Sequence, residues 1–192
     1  MAHVVLFHHT QGLRKDVIAW ADSLREAGHE VTTPDLFEGL TFDRFDDGIA
    51  HRDEVGLPEL MGRAATALED LPAELVYAGF SMGASAAHYF SVTRPGARAV
   101  LLMSGTAPAA SLGDAGWPSG VPGQVHRKAT DPEMDPSGVE AVAQAASAAD
   151  APLEVFTYPG EGHLFADSSG PDYDAASTEL MLERELDLLG RL

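Results

Sequence analysis

The chain has 192 residues, a length that favours one domain built around a single sizeable core. Its 12 basic and 30 acidic residues give a formal net charge of −18, which argues against nucleic acid and anionic membrane surfaces as partners. There is no cysteine, which excludes disulfides, thiolate metal sites and a cysteine nucleophile.

Short apolar runs alternate with helical patterns of apolar residues from one end of the chain to the other. We predict strands at 4–7, 29–33, 75–79, 98–103, 121–126 and 153–158. We predict helices at 15–27, 57–71, 84–89, 139–149 and 173–189. Because strands that alternate with helices need crossover connections, the pattern predicts an α/β fold with about six mainly parallel strands and helices on both faces.

Three further segments lack such a pattern. The acidic and aromatic stretch 34–45 and the glycine- and proline-rich stretch 108–123 are predicted to be loops. The charged segment 51–54 is predicted to be solvated and to lie near the start of a helix. The N-terminal apolar run is shorter than a signal-peptide core and no run approaches membrane-spanning length, so we expect a cytoplasmic protein without membrane contact.

The segment Gly79-Phe80-Ser81-Met82-Gly83 stands where a predicted strand ends and a helix of small residues begins. In that context a G-x-S-x-G pentapeptide predicts a nucleophile elbow, a strained turn that leaves no room for side chains two residues before and after the serine. The alternative, a glycine-rich turn of a nucleotide-binding fold, lacks the G-x-G-x-x-G pattern there. The motif therefore indicates an α/β-hydrolase fold with Ser81 as nucleophile.

A serine hydroxyl needs a base to remove its proton and an acid to orient that base, and in this fold the chain order is serine, acid, histidine. His163 lies in a loop after the last predicted strand whereas His126 lies within a strand, so we predict His163 as the base. Asp131, shortly after the fifth predicted strand, is the predicted acid, with Glu133 and Asp135 as alternatives. Asp135 precedes a proline and has the pattern of a helix N-cap.

The oxyanion that forms when the serine attacks needs preformed N–H donors. The predicted donors are the backbone N–H groups of Met82, directly after the nucleophile, and of Thr10, in the loop after the first strand. His8 and His9 are adjacent in that loop, where neighbouring side chains point to opposite sides, and no carboxylate partner is evident, so we predict no metal site. This chemistry requires no cofactor.

Taken together, these segments resemble the dienelactone hydrolase family of α/β-hydrolases. The resemblance spans nearly the whole chain and rests on the loop 8–13, the elbow 79–83, the pair Asp131-Pro132 and the segment 158–166 around His163. It implies an enzyme that hydrolyses an ester or a lactone.

Two departures from the family leave the substrate open. Members that open dienelactone have a cysteine at the elbow, where this chain has Ser81. They also have a carboxylate-binding arginine at the position that Asp167 occupies here. Arg14, beside the oxyanion loop, is an alternative ligand for a substrate carboxylate, and Gln11 and Phe165 are further candidates for substrate contacts.

The sequence therefore predicts a serine hydrolase that acts on a small-molecule ester or lactone through an acyl-enzyme intermediate. Two alternatives stay open. One is an acyl transferase or thioesterase that uses the same three residues, and the other is a catalytically silent relative that binds a small ligand in the same cleft.

Overall fold

The structure, a computed structural model, describes residues 1–112 and 116–192. Six strands form its central sheet: β1 (His3–Phe7), β2 (Glu30–Thr32), β3 (Leu75–Phe80), β4 (Ala97–Met103), β5 (Gly123–Thr130) and β6 (Leu153–Glu161). Their order across the sheet is β2-β1-β3-β4-β5-β6, and each described pairing is parallel.

Helices cover both faces of the sheet. They are α1 (Lys15–Glu26), α2 (Phe45–Val55), α3 (Leu57–Ala67), α4 (Met82–Thr93), α5 (Pro136–Ala148) and α6 (Ala175–Gly190). Because successive side chains of a strand point to opposite faces, Leu102 joins the core beneath α3, α4 and α5, whereas Leu101 joins the core beneath α1 and α6. Each face of the sheet is thus buried, which suits an all-parallel arrangement.

The predicted α/β fold with about six mainly parallel strands is confirmed. Every predicted helix occurs, but the ends shift: the helix predicted at 84–89 runs from Met82 to Thr93, and the one predicted at 57–71 ends at Ala67. Within the predicted loop 108–123, a 3-10 helix occupies Ala109–Ser111, and residues 113–115 lie outside the described residues. No helix in the described part of the chain is long and apolar enough to cross a bilayer.

Helix α2 is the element that the sequence pattern does not predict. Its interior contains Gly48, and a glycine within a helix costs about 1 kcal/mol relative to alanine. The structure explains this glycine, because a Cβ at position 48 would lie 2.1 Å from the carbonyl oxygen of Thr10. The segment 51–54 lies at the end of α2 and just before α3 begins at Leu57, with Asp53 and Glu54 exposed as predicted. His51, by contrast, packs between two phenylalanine rings.

The strand register brings four chain segments to one edge of the sheet, where β3, β4, β5 and β6 end. Phe80 pairs with Met103, Met103 with His126, and Thr130 with Glu161. Strands β3 and β4 therefore end level with each other, whereas β5 and β6 continue beyond His126 and end together at Thr130 and Glu161. The carboxyl edge of a parallel sheet is where ligands bind in such folds.

Candidate active site

Ser81 lies in a strained turn between β3 and α4. Its φ is 52° and its ψ is −112°, a conformation that favours glycine. Its N–H donates to the carbonyl oxygen of Met103 over 2.8 Å, which anchors the turn to the end of β4. A Cβ at position 79 would lie 2.1 Å from the carbonyl oxygen of Gly83, and a Cβ at position 83 would lie 2.3 Å from that of Phe7. Both glycines of the pentapeptide are therefore sterically required.

His163 connects Ser81 to Asp131. The hydroxyl oxygen of Ser81 lies 2.7 Å from Nε2 of His163, and Nδ1 of His163 lies 2.9 Å from each carboxylate oxygen of Asp131. Because an ionised carboxylate only accepts hydrogen bonds, Nδ1 carries the imidazole proton and Nε2 accepts from the Ser81 hydroxyl. The side chains of His163 and Asp131 are 7% and 3% exposed, which limits competition from water. The structure thus brings these three side chains into one hydrogen-bonded chain.

Contacts from several segments fix the position of His163. The hydroxyl of Ser104, the residue after β4, donates to the His163 carbonyl oxygen over 2.6 Å. The carboxylate of Asp172 accepts from the His163 N–H over 2.8 Å. Phe45, at the start of α2, meets the imidazole edge-to-face with 5.3 Å between ring centroids. The imidazole is therefore oriented by its own backbone as well as by Asp131.

Asp135 and Glu133, the alternative acids, occupy other positions. Asp135 is the N-cap of α5, where its two carboxylate oxygens accept from the Ser137 N–H over 2.9 Å and from the Ser137 hydroxyl over 2.6 Å. These hydrogen bonds lower the pKa of Asp135. Glu133 is exposed, and its backbone N–H donates to an Asp131 carboxylate oxygen over 3.0 Å. Of the three acids, Asp131 contacts His163.

The predicted oxyanion donors, Met82 and Thr10, belong to segments that pack together. Met82 begins α4, so its N–H has no acceptor within that helix. No described residue accepts a hydrogen bond from the backbone N–H of Met82 or of Thr10. The loop that holds Thr10 approaches the start of α4, since a Cβ at Gly83 would lie 2.6 Å from the carbonyl oxygen of His8. Both N–H groups are therefore free to donate elsewhere.

Two cavities border His163. The larger, about 560 Å³, is lined by Ser81, Met82, Ser104 and Arg52, among others. The smaller, about 380 Å³, is lined by the predicted substrate residues Gln11 and Arg14 and by Phe45 and Asp172, among others. Glu133 and His163 line both cavities. Two open spaces therefore meet at His163, and Ser81 borders the larger of them.

Arg14 lines the smaller cavity but its guanidinium is already engaged. It donates to Oδ1 of Asp43 over 3.2 Å, to the hydroxyl of Ser169 over 3.0 Å and to a backbone carbonyl over 2.6 Å. Gln11 likewise donates to two backbone carbonyls, over 3.1 and 3.0 Å. Both residues hold the loop that follows Phe42 against the loop that follows β1.

Phe165 lies elsewhere. Its side chain is 1% exposed, packs against Tyr158 with 5.2 Å between ring centroids, and lines neither cavity at His163. The prediction that Phe165 contacts substrate is wrong, because its ring completes the core beneath α6. Asp167 does line the smaller cavity, where its carboxylate accepts from the N–H and the hydroxyl of Ser169 over 2.8 and 2.6 Å.

His126, the histidine set aside in favour of His163, is fully buried. Its Nδ1 lies 2.8 Å from the hydroxyl of Tyr158, and its Nε2 lies 3.1 Å from the side-chain oxygen of Gln124. Burial lowers the pKa of His126 to about 3. It borders neither cavity at His163.

His8 and His9 have separate protein partners. Nε2 of His8 accepts from the N–H of Leu36 over 3.0 Å, and burial lowers the pKa of His8 to about 4. His9 does have a carboxylate partner, which the sequence did not reveal: its Nε2 lies 2.9 Å from Oδ2 of Asp16. Residues 1–112 and 116–192 contain no group of three histidine or acidic side chains that could hold a metal ion.

Sequence reasoning missed several residues of this site. Ser104 directly follows the buried strand β4, at the carboxyl edge of the sheet. Its position after a predicted strand, the same signal that identified Asp131, could have indicated it. Phe45 and Arg52 belong to α2, the helix without a clear apolar pattern. Asp172 follows a Gly-Pro pair, and no motif around it indicates a role at the site.

The chain resembles known proteins in sequence and in fold. A model of the dienelactone hydrolase family matches residues 1–192. The sequence has no significant match among curated proteins. Among solved structures, P91, a dienelactone hydrolase-like promiscuous phosphotriesterase from metagenomic libraries, is similar with a TM-score of 0.81 and 21% identity, over 100% of this chain and 87% of that chain.

Two further structures share the fold. A proposed dienelactone hydrolase from Klebsiella pneumoniae subsp. pneumoniae has a TM-score of 0.77 at 18% identity, over 100% of this chain and 88% of that chain. Esterase 2 from Thermogutta terrifontis has a TM-score of 0.66 at 16% identity, over 99% of this chain and 82% of that chain.

Proposed function

The chain belongs to the dienelactone hydrolase family, and we propose that it is a serine hydrolase that cleaves a small carboxylic ester or lactone. The observation that carries this proposal is the hydrogen-bonded chain from Ser81 through His163 to Asp131, with 2.7 Å to the hydroxyl and 2.9 Å to the carboxylate. It meets the geometric requirement for an activated serine nucleophile, since the nucleophile touches its base and the base touches an orienting acid.

In the first half-reaction, the Ser81 hydroxyl oxygen attacks the substrate carbonyl carbon while Nε2 of His163 takes the hydroxyl proton. The carboxylate of Asp131 holds and stabilises the imidazolium that forms. The carbonyl oxygen becomes an oxyanion that accepts hydrogen bonds from the N–H groups of Met82 and Thr10. The bond to the leaving oxygen then breaks, His163 returns the proton to that oxygen, and Ser81 is left acylated.

In the second half-reaction, water attacks the acyl group and gives up a proton to His163. The tetrahedral intermediate uses the same two N–H donors, and its collapse returns the proton to Ser81 and releases the carboxylic acid. With a lactone, the leaving alcohol stays tethered to the acyl chain, so one hydroxy acid is released. Both half-reactions need only the nucleophile, the acid–base pair and the N–H donors.

The strained turn at Ser81 also supports the proposal that this residue is the nucleophile. A serine with φ of 52° is held by its surroundings at a cost of order 1–3 kcal/mol, which fits a residue kept in one reactive position. The contact of Ser81 with the larger cavity gives a substrate carbonyl access to the hydroxyl.

The test is labelling with a fluorophosphonate, which reacts with activated serine hydroxyls. We expect the wild-type protein to be labelled, with no labelling of Ser81→Ala. Ser85→Ala is the matched control, because Ser85 lies one turn further along α4, lines the same cavity and donates to the carbonyl oxygen of Thr106. Persistent labelling of Ser81→Ala would refute the assignment.

Turnover separates hydrolysis from the alternatives. Purified protein should hydrolyse short nitrophenyl esters, and the product should remain the free acid when alcohols or thiols are added as competing acyl acceptors. Acyl transfer to those acceptors would indicate a transferase instead. Ligand-induced thermal stabilisation without labelling or turnover would indicate a silent binding protein.

A further inference from the structure

Arginines line both cavities at His163, but each has a carboxylate beside it. At the smaller cavity, a guanidinium nitrogen of Arg14 lies 3.2 Å from a carboxylate oxygen of Asp43. A guanidinium nitrogen of Arg44 lies 3.5 Å from a carboxylate oxygen of Asp46. At the larger cavity, a guanidinium nitrogen of Arg52 lies 2.7 Å from a carboxylate oxygen of Asp53. A substrate carboxylate would therefore have to compete with a protein carboxylate for each of the three arginines that line these two cavities.

Several acids line the same cavities, and most are tied to N–H or hydroxyl donors. Asp172 accepts from the His163 N–H, Asp167 accepts from Ser169, and Asp135 caps α5. Glu133 differs from them. Its carboxylate has no hydrogen bond or ion pair with a described residue, it is exposed, and it lines both cavities together with His163.

The backbone of Glu133 is fixed relative to the three-residue chain. Its N–H donates to a carboxylate oxygen of Asp131 over 3.0 Å, and the rigid residue Pro132 separates the two acids. The Glu133 backbone is therefore held next to Asp131, and the residue borders the same two cavities as His163.

We propose that Glu133 determines specificity by charge, so that the site prefers esters carrying a cationic group over neutral ones and disfavours esters carrying a carboxylate. This inference rests on the proposed function. Two charges within about 7 Å at an effective dielectric of about 40 interact by about 1 kcal/mol, a roughly fivefold effect on a rate constant. Since Glu133 borders both cavities, the sign of the preference is the same whether the charged group lies on the acyl or the leaving side.

The test compares three nitrophenyl esters of matched shape: one with an acyl chain ending in trimethylammonium, its tert-butyl carbon isostere, and one ending in a carboxylate. The wild-type protein should have the largest kcat/KM for the cationic ester and the smallest for the anionic ester. In Glu133→Gln, the ratio of kcat/KM for the cationic to the neutral ester should fall about fivefold. Any effect of the substitution on acid–base steps that are common to all three esters cancels in this ratio.

Glu140→Gln is the matched control. Glu140 is an exposed residue of α5 that lines neither cavity, and its substitution changes the net charge by the same amount. We expect this variant to keep the wild-type ratio, whereas an equal fall in both variants would assign the preference to the net charge of −18 instead.

The outcomes distinguish this inference from the proposed function. Hydrolysis of all three esters with equal kcat/KM would overturn the role of Glu133 and leave the serine hydrolase intact. Absence of hydrolysis together with absence of fluorophosphonate labelling would overturn the proposed function itself. An unchanged ratio in Glu133→Gln would show that another group sets the preference.

Discussion

Two regions of the molecule bury polar side chains, and they differ in what surrounds them. At the carboxyl edge of the sheet, His163 has partners on both ring nitrogens and borders two cavities. Beneath α6, His126 also has partners on both ring nitrogens, but the protein closes around it completely. We refer to these regions as the edge site and the α6 interior.

Hydrogen bonding alone therefore does not identify a reactive histidine. The partners of His126 are a phenol and an amide within the core, and desolvation by burial lowers its pKa to about 3. The partners of His163 are a hydroxyl on a strained turn and a carboxylate, and the residue borders two cavities. If this comparison is right, substitutions at the edge site reduce turnover, whereas substitutions in the α6 interior reduce stability.

The largest expected effect is on turnover when the base is removed. His163→Ala should lower kcat for a nitrophenyl ester by about 10⁴-fold or more, because Ser81 loses its proton acceptor. His126→Gln should keep kcat within about threefold and lower the free energy of unfolding by about 1–3 kcal/mol, because a buried hydrogen-bond network is disturbed. A large loss of kcat in folded His126→Gln would break the distinction between the two regions.

A smaller effect on turnover is expected for the acid. Asp131→Asn should lower kcat by about 10³-fold, because an amide can donate to Nδ1 and favour the imidazole tautomer that cannot accept the Ser81 proton. Asp135→Asn should retain kcat within about threefold, since asparagine is as good an N-cap as aspartate. Steady-state kinetics on both variants measures this, and equal losses would contradict the choice of Asp131.

The smallest effect concerns stability in the α6 interior. Glu185 is fully buried, accepts from the Trp20 indole N–H over 3.0 Å, and burial raises its pKa to about 8. Between its unfolded pKa and about 8, the folded state binds more protons than the unfolded state, so the free energy of unfolding falls as pH rises through this range. This contribution is fully present below the unfolded pKa and is lost as pH rises to about 8.

Glu185→Gln should remove this part of the pH dependence, because glutamine stays neutral. Urea unfolding of both proteins from about pH 5 to 9 isolates the contribution as the difference between the two curves, which cancels the effect of all other acids. Parallel curves would show that Glu185 is ionised in the folded protein. The kcat of the folded variant should remain close to that of the wild type.

The nucleophile, the base and the fold could be predicted from the sequence. Ser81 stands between two glycines at positions where a Cβ would clash, so the motif has a steric cause. His163 stands in the loop after the last strand, where the topology of the sheet brings it to the carboxyl edge. The structure brings these two residues together with Asp131. The fold could be predicted from the alternation of strands and helices. Strands of a buried parallel sheet are continuous apolar runs, which are easy to recognise in a sequence.

The residues that the sequence did not reveal depend on close tertiary packing. Gly48 weakens the helical signal of α2, yet the closeness of α2 to Thr10 requires it. Phe165 was predicted to contact substrate, but its ring packs in the core beneath α6. The engagement of Arg14 by Asp43 and Ser169 likewise joins residues far apart in the sequence. These features depend on contacts between segments that are far apart in the chain, which local sequence patterns do not encode.

The parallel sheet has a consequence for the kinetics of folding. Neighbouring parallel strands cannot be joined by a hairpin, so each pairing must wait for a crossover segment to close. Ser81 and His163 are 82 residues apart in the chain, and their contact needs β3, β4, β5 and β6 in register. During refolding, we therefore expect helical content to recover well before the reactivity of Ser81 towards a fluorophosphonate. Recovery of labelling would mark the completion of the native structure.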